Sequence, residues 1–308
     1  MQQVTQFKQK AAASLDTSPD LPNRLNYFYC RFDKRNPNPG YRPPPPAGSL
    51  PLSPPFTILE HEVRGLLKKL NTRKASGPDG VSSFVTRTCA AQLAPIFTDI
   101  FNSSLQRCAV PQCFKSSVIV PVPKKTNGTQ LNNYRPVALT SVVMKVFQRL
   151  VLSYLEKCSG SLRDAFQFAY QANRSVEDAV ALGLHHTLQH LEYPGTYARL
   201  LFLDFSSAFN TIIPHKLFDN LLRLDVHPSV CYWILDFLLN RRQVVKVGNV
   251  YSGSRVLNTG APQGCVLSPL LFTLFTNDCV LADPSVLVVK FGGWSHHRWG
   301  RARLSWRG

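Results

Sequence analysis

Leu200-Leu201-Phe202-Leu203-Asp204-Phe205-Ser206-Ser207-Ala208-Phe209-Asn210 decides how the rest of the chain is read. Four apolar residues run straight into one aspartate, and small residues and an aromatic follow. That order predicts a buried strand ending on a carboxylate, an arrangement that aims an acid at a divalent cation. Strand-end aspartates also simply cap turns, so Asp204 taken alone is read either way. A metal role requires further carboxylates close to it in the fold.

Upstream of this stretch the pattern is helical with one short strand. Thr57 and Glu60 are spaced as a capping box before Val63, Leu66, Leu67 and Leu70. A turn-rich loop follows at Lys74–Gly80. Leu93, Ile96, Phe97, Ile100, Phe101 and Leu105 then mark a second helix that stops before Pro111. Val118–Val122 is β-branched and carries Pro121, with Pro123 just beyond, which predicts an edge strand. Val146, Phe147, Leu150, Val151, Tyr154 and Leu155 predict another helix. Ser175 and Asp178 form a second capping box that opens a helix to about Leu191.

Downstream, Pro214 and Pro228 each stand where a first helical residue belongs. Gly248-Asn249 between Gln243–Val247 and Val250–Leu257 is a hairpin signal. Thr259–Gly264 is a loop, Ser268 is expected to cap an apolar helix to about Phe275, and Val286–Phe291 is a last strand. The mixture predicts an α+β fold, with helices packed on a small, mainly antiparallel sheet. The organisation expected is a polar and aromatic N-terminal segment over 1–35, a proline-rich linker over 36–55 and a globular part over 56–291. A basic-aromatic tail over 292–308 completes it.

The formal net charge is +17 and 44% of residues are hydrophobic, so a folded protein with a polyanionic partner is expected, nucleic acid before membrane. The eight cysteines are scattered, with no metal-binding spacing and no disulfide framework. Reduced thiols in an intracellular protein are the simpler reading. No apolar run approaches the ~18 residues of a membrane span, and no membrane role is expected. Arg135 precedes Pro136, which holds it extended and lets it present a guanidinium to a phosphate. A surface salt bridge explains it equally well. Gly260–Gly264 suits close approach by a nucleotide or template, or is an ordinary turn before a helix.

Four blocks in order carry more than any one of them: Lys74–Gly80 (KASGPDG), Asn133–Leu139 (NYRPVAL), Leu203–Asn210 (LDFSSAFN) and Thr259–Leu267 (TGAPQGCVL). Together they resemble the reverse transcriptase domain of LINE-type non-LTR retrotransposons, over roughly Phe56–Phe291. Leu25–Asp33 also resembles the segment that joins an upstream endonuclease to the polymerase in such elements. The resemblance implies a right-hand polymerase with fingers and palm, using Mg2+ or Mn2+, an RNA template, a DNA primer and deoxynucleoside triphosphates. Asp204 matches the first metal-binding aspartate, with the Phe205 carbonyl beside the same ions. Phe209 matches the aromatic beneath the sugar, or is a core phenylalanine. Gln263 and Gly264 match the loop touching nucleotide and template. Lys124 or Lys125, with Arg135, match the residues that neutralise the triphosphate. Gln171, Arg174 and Ser175 match a segment near the template, although a plain helix cap accounts for Ser175.

The sequence departs from the family at one place. Two cations ~3.5–4 Å apart need several carboxylates, and an Ala-Asp-Asp turn should follow Phe291. The chain instead reads Phe291-Gly292-Gly293-Trp294, and no acid follows Asp283. Three of the four tryptophans lie in the last fifteen residues, with Arg298, Arg301, Arg303 and Arg307. This break reads as a shifted or mispredicted reading frame, or as a tail that stacks on nucleic acid. Without Lys290 and those four arginines the formal charge falls from +17 to +12, so the basic character does not rest on the tail. The second strand of the palm hairpin and the thumb are expected to be missing, which leaves Val286–Phe291 without a sheet partner. The expectation is a reverse transcriptase-like domain without polymerase activity as written. The alternatives are a non-catalytic RNA- or DNA-binding remnant, a product that does not fold, or an active polymerase if the frame after Phe291 is wrong.

Overall fold

The computed structural model describes residues 18–36, 40–43, 54–124, 130–159, 164–204, 207–281, 283, 286–292 and 299–307. Six helices enclose the main core: α2 (Glu60–Lys68), α4 (Ala90–Gln106), α6 (Val142–Ser159), α8 (Pro214–Arg223), α9 (Pro228–Leu238) and α10 (Ser268–Phe275). The short α3 (Ser83–Thr88) and α5 (Gln112–Lys115) flank α4 along the chain. The apolar faces of the core helices recur every three to four residues and meet in a stack of rings. Phe101 and Phe147 lie 4.3 Å apart, Phe147 and Trp233 4.8 Å, and Trp233 and Phe237 5.9 Å. Trp233 is fully buried, and its indole N–H donates to Ser104 Oγ at 2.9 Å. Burying rings with their polar atoms satisfied contributes about 2–3 kcal/mol each.

Pro214 and Pro228 begin α8 and α9 as expected. Ser175 and Asp178 close a reciprocal capping box on α7 (Val176–Leu191), with bonds of 2.8 and 3.1 Å. The expected box at Thr57 and Glu60 is displaced by two residues. Glu62 accepts from Leu59 N at 2.9 Å, so α2 starts later than its spacing suggested. Ser268 is the first residue of α10, not its cap, and its hydroxyl donates to Pro262 O.

A five-stranded sheet contains β1 (Ser117–Pro123), β2 (Tyr134–Thr140), β4 (Arg241–Val247), β5 (Val250–Tyr251) and β6 (Arg255–Leu257). β1 is not the edge strand its prolines predict. It pairs with β2 along its whole length and with β4 in parallel, but the β4 contact covers only Ser117–Ile119. Pro121 and Pro123 lie past that contact, where the second edge of β1 is open and a missing N–H costs nothing. α1 (Leu21–Tyr29) packs on this sheet through Leu21, Leu25 and Tyr29, which meet Ile119, Tyr134, Ala138 and Val245.

A second sheet has the order β3–β8–β7, with β3 at Tyr197–Asp204, β8 at Trp299–Arg307 and β7 at Val286–Gly292. The expectation that β7 lacks a partner is therefore corrected. β8, from the tail whose composition fits no strand period, pairs antiparallel with both neighbours. Pairing runs through backbone N–H and C=O groups, so it does not depend on an alternating apolar pattern. The expected burial of β3 is corrected too. Leu200, Leu201, Phe202 and Leu203 are 44–66% exposed. α7 lies against β3, β7 and β8, and among the described residues no other helix packs comparably on β3.

Candidate functional site

β3 ends at Asp204, whose register partner on β8 is Gly300. Gly300 in turn pairs with Phe291 on β7. Asp204, Gly300 and Phe291 thus form one row across the sheet, at the end where the β7–β8 connection begins. Phe205 and the connection at 293–298 lie outside the described residues. Among the described residues no three His, Cys, Asp or Glu side chains gather as a metal site would require. Asp278 is engaged elsewhere, 3.5 Å from the Arg223 guanidinium.

The residue before Phe291 carries a feature that sequence reasoning missed. Lys290 is buried, with its Nζ 2.6 Å from the Asp164 carboxylate. The same ammonium donates to Thr276 O at 2.7 Å and Asn277 O at 3.2 Å, the carbonyls just beyond α10. Cations are favoured at that end of a helix. The backbone of Lys290 also bonds Phe166 O and Phe168 N, at 2.9 and 2.7 Å, so residues 166–168 add a short parallel bridge to β7. An isolated lysine in an apolar strand was the available signal.

The Thr259–Gly264 loop joins three separate parts of the chain. Gly260 N donates to Ile212 O at 2.7 Å and Ala261 N to Phe209 O at 2.8 Å, which ties the loop to the 3-10 turn at Ala208–Thr211. Ala138 N on β2 donates to Gln263 O at 2.9 Å. Gly260 has φ +77°, and a Cβ there would stand 2.7 Å from Asn210 Cα, so both conformation and space demand glycine. The loop's carbonyls are held by Arg241, another residue that nothing in the sequence singles out. Its guanidinium is buried and donates to Leu238 O at 3.0 Å, Thr259 O at 2.6 Å and Gly260 O at 2.9 Å. Burial pulls its pKa down to about 10, which leaves it charged at neutral pH. Asn36 adds bonds to Asn258 O and Thr259 Oγ1, and the Asp33 carboxylate accepts from Asn258 N. A cavity between these parts is lined by Tyr29, Pro136, Asn210, Arg241 and Gln263.

Of the expected phosphate-binding residues, Lys124 and Arg135 lie together at the far end of the β1–β2 ladder. Val122 pairs with Arg135, and Lys124 N donates to Asn133 O at 2.7 Å. Loss of water around Lys124 pushes its pKa below the usual lysine value, and the positive charges of Arg135 and then Arg31 push it further. Lys125 lies outside the described residues. Phe209 sits against Tyr170 at 6.1 Å and Phe272 at 5.9 Å, packed on the main core. Arg174 donates to the carbonyls of Ala165 and Gln167 and lies 5.0 Å over the Phe168 ring. Gln171 keeps a buried side-chain amide nitrogen without a hydrogen-bond partner.

Residues 122–282, just over half of the chain, match the family model described as reverse transcriptase (RNA-dependent DNA polymerase). The chain belongs to the reverse transcriptase family. It is 30% identical over 239 residues to the RNA-directed DNA polymerase from mobile element jockey of Drosophila melanogaster, covering 77% of this chain and 26% of that protein. It is 29% identical over 234 residues to the probable RNA-directed DNA polymerase from transposon BS of the same organism, covering 75% and 25%. The retrovirus-related Pol polyprotein from the type-1 retrotransposable element R1 of Bradysia coprophila is 25% identical, with 75% of this chain and 23% of that protein covered. The chain therefore spans about a quarter of the length of these relatives. The LINE-type resemblance of the four blocks holds, and the mixed α/β architecture with its small sheets agrees with the fingers and palm of the reverse transcriptase fold. Reverse transcriptases use divalent cations, but among the described residues no set of acids gathers to fit a two-metal site. Asp204 stands in a row with Gly300 and Phe291, and no acid follows Asp283.

Proposed function

We propose that this chain is a fingers-and-palm domain that binds nucleic acid through its finger strands and does not, as written, polymerise DNA. The single observation that carries the inactive palm is the row Asp204–Gly300–Phe291, because after Phe291 the sequence reads Gly292-Gly293-Trp294 where the family has Ala-Asp-Asp. In this reading residues 56–291 are fingers and palm, 1–35 lead into them, 36–55 are a linker and 292–308 form the tail. Asp204, with the Phe205 carbonyl, is the remnant of the Mg2+ or Mn2+ site. Lys124 or Lys125, with Arg135, meets phosphate. Gln263 and Gly264 face nucleotide and template, Phe209 lies beneath the sugar, and Gln171 and Arg174 lie near the template. RNA template, DNA primer and deoxynucleoside triphosphates are the ligands this assigns.

The reading is supported by the net charge of +17 and by two cations at one end of the β1–β2 ladder with no ion-pair partner among the described residues. Two assays test it. Primer extension on an RNA template with Mg2+ or Mn2+ should give no product; incorporation that disappears with Asp204→Ala would overturn the inactive palm. Binding of single-stranded RNA or DNA should weaken as salt rises, and weaken again with Arg135→Ala and Lys124→Ala. Affinity that is the same at low and high salt would overturn nucleic-acid binding.

A further inference from the structure

The 3-10 turn at Cys30–Arg35 and the Asn36 that follows it precede the family-matched region, yet the fold fastens them to the Thr259–Gly264 loop. Their anchor is α1, which is held by polar bonds as well as by its apolar face. Asn26 is buried, and its amide donates to Ser252 Oγ at 2.9 Å and Gly253 O at 2.8 Å, while its Oδ1 accepts from Gln243 Nε2 at 2.9 Å. Asn23 Oδ1 accepts from Gly253 N at 2.9 Å. These bonds tie α1 to β4 and to the turn between β5 and β6. Because they are directional, they fix where the chain leaves α1 more closely than apolar contact alone does.

The 3-10 turn touches β6, and Asp33 and Asn36 close on Asn258, the first residue beyond that strand. The Asp33 carboxylate accepts from Asn258 N, with both oxygens at 3.3 Å. The Asn36 amide donates to Asn258 O at 3.3 Å and to Thr259 Oγ1 at 3.2 Å. Side chains from upstream thus do for Asn258 what a neighbouring strand does inside a sheet. Asn36 and Thr259 are both buried, so water competes little for these bonds. The next two carbonyls, of Thr259 and Gly260, go to Arg241. The loop is therefore held at its root from two sides, just before Gly260 makes its close approach to Asn210. Tyr29 and Phe32 also line the cavity that Asn210, Pro136 and Gln263 line, so the upstream segment is one wall of that space.

We infer that Asp33 and Asn36 are positioning residues for the loop that carries Gln263 and Gly264, which makes the segment upstream of the matched family region a working part of the nucleic-acid site. They act through the loop rather than on the ligand: they set where the chain leaves β6, and the loop then sets Gln263 and Gly264. The inference rests on the reading that Gln263 and Gly264 face the template. Its signature is local. Loss of either hold loosens 258–264 and weakens binding, while the helical core around Trp233 keeps its stability.

The test uses the full chain, with amide hydrogen exchange read by mass spectrometry and a fluorescein-labelled single-stranded RNA as the binding probe. Asp33→Ala and Asn36→Ala should each speed exchange at Gly260 and Ala261, whose amides donate to Ile212 O and Phe209 O, by about tenfold. Exchange in α4 and α9 should stay unchanged. Both variants should weaken RNA binding several-fold, as should Gln263→Ala. Asp33→Asn keeps an oxygen for Asn258 N and has the same charge as Asp33→Ala, so it should bring exchange and affinity back near wild type. Loop exchange unchanged in Asp33→Ala and Asn36→Ala overturns the hold. Faster loop exchange with unchanged affinity, while Gln263→Ala weakens binding, overturns the positioning role and leaves the loop reading standing. Unchanged affinity in Gln263→Ala and in both alanine variants overturns the loop reading, and the inference with it. Faster exchange throughout the chain shows general destabilisation and overturns the local role. Asp33→Asn behaving like Asp33→Ala shows that charge, not the hydrogen bond, matters, and also overturns the inference.

Discussion

Replacing Arg241 by methionine isolates what holds the Thr259–Gly264 loop. Methionine keeps most of the aliphatic stem, so lost packing is small. The guanidinium's three bonds, to Leu238 O, Thr259 O and Gly260 O, all disappear. Bonds from a charged donor contribute roughly 1.5–3 kcal/mol each, and stranded buried carbonyls lose at least that. Three of them give about 5 kcal/mol or more. Removing a buried cation recovers part of its desolvation cost, which leaves a net loss of about 3 kcal/mol. With a urea m-value of about 3 kcal/mol/M, the unfolding midpoint should fall by about 1 M. Arg242→Met is the control: Arg242 is exposed on the same strand, and its replacement should move the midpoint by no more than about 0.2 M. Limited proteolysis should cut Arg241→Met first within 258–264. An Arg241→Met midpoint equal to that of Arg242→Met would refute the idea that this guanidinium holds the loop.

Two further substitutions probe local contacts. Lys290→Met strands the Asp164 carboxylate, whose side chain is only 12% exposed, and should cost about 3 kcal/mol in chemical denaturation. Adding Asp164→Asn should recover part of that, and strictly additive losses would show that the pair is not coupled. Gly260→Ala meets both a φ of +77° and a Cβ contact of 2.7 Å, whereas Gly65 lies inside α2 with nothing within 4 Å of where an added methyl would stand. Gly260→Ala should therefore lower the melting temperature and Gly65→Ala raise it, the latter by about 0.5–1 kcal/mol of stability; equal shifts would contradict the close approach.

Local chemistry was legible where it acts within a few residues. The proline starts of α8 and α9, the Ser175–Asp178 box and the Gly248-Asn249 hairpin were all readable, because each depends on spacing along the chain. What depended on distant parts of the chain was not. The place of β1 inside its sheet rests on how far β4 reaches along it, which no property of Val118–Val122 reports. Arg241 and Lys290 look like ordinary basic residues until the fold surrounds them with carbonyls 14 to 19 residues away.

Pairing and chemistry make different demands on the same sheet, and this separates what the tail preserves from what it loses. A strand needs only extended backbone with donors and acceptors in register, so Trp299–Arg307 can lie between β3 and β7 with the composition it has. A pair of metal ions needs particular acids at particular positions in that sheet, and extended backbone cannot stand in for them. The position of Asp204 is therefore evidence about the fold: it is the end of a palm strand, opposite Gly300 and one strand from Phe291. Its chemistry depends on the residues that follow Phe291, and those are two glycines and a tryptophan. The finger cations have no such dependence. Lys124 and Arg135 stand on the β1–β2 hairpin, remote in sequence from the break. On the function proposed here, loss of the palm acids removes the basis for polymerase activity and leaves the finger strands to hold a phosphate backbone.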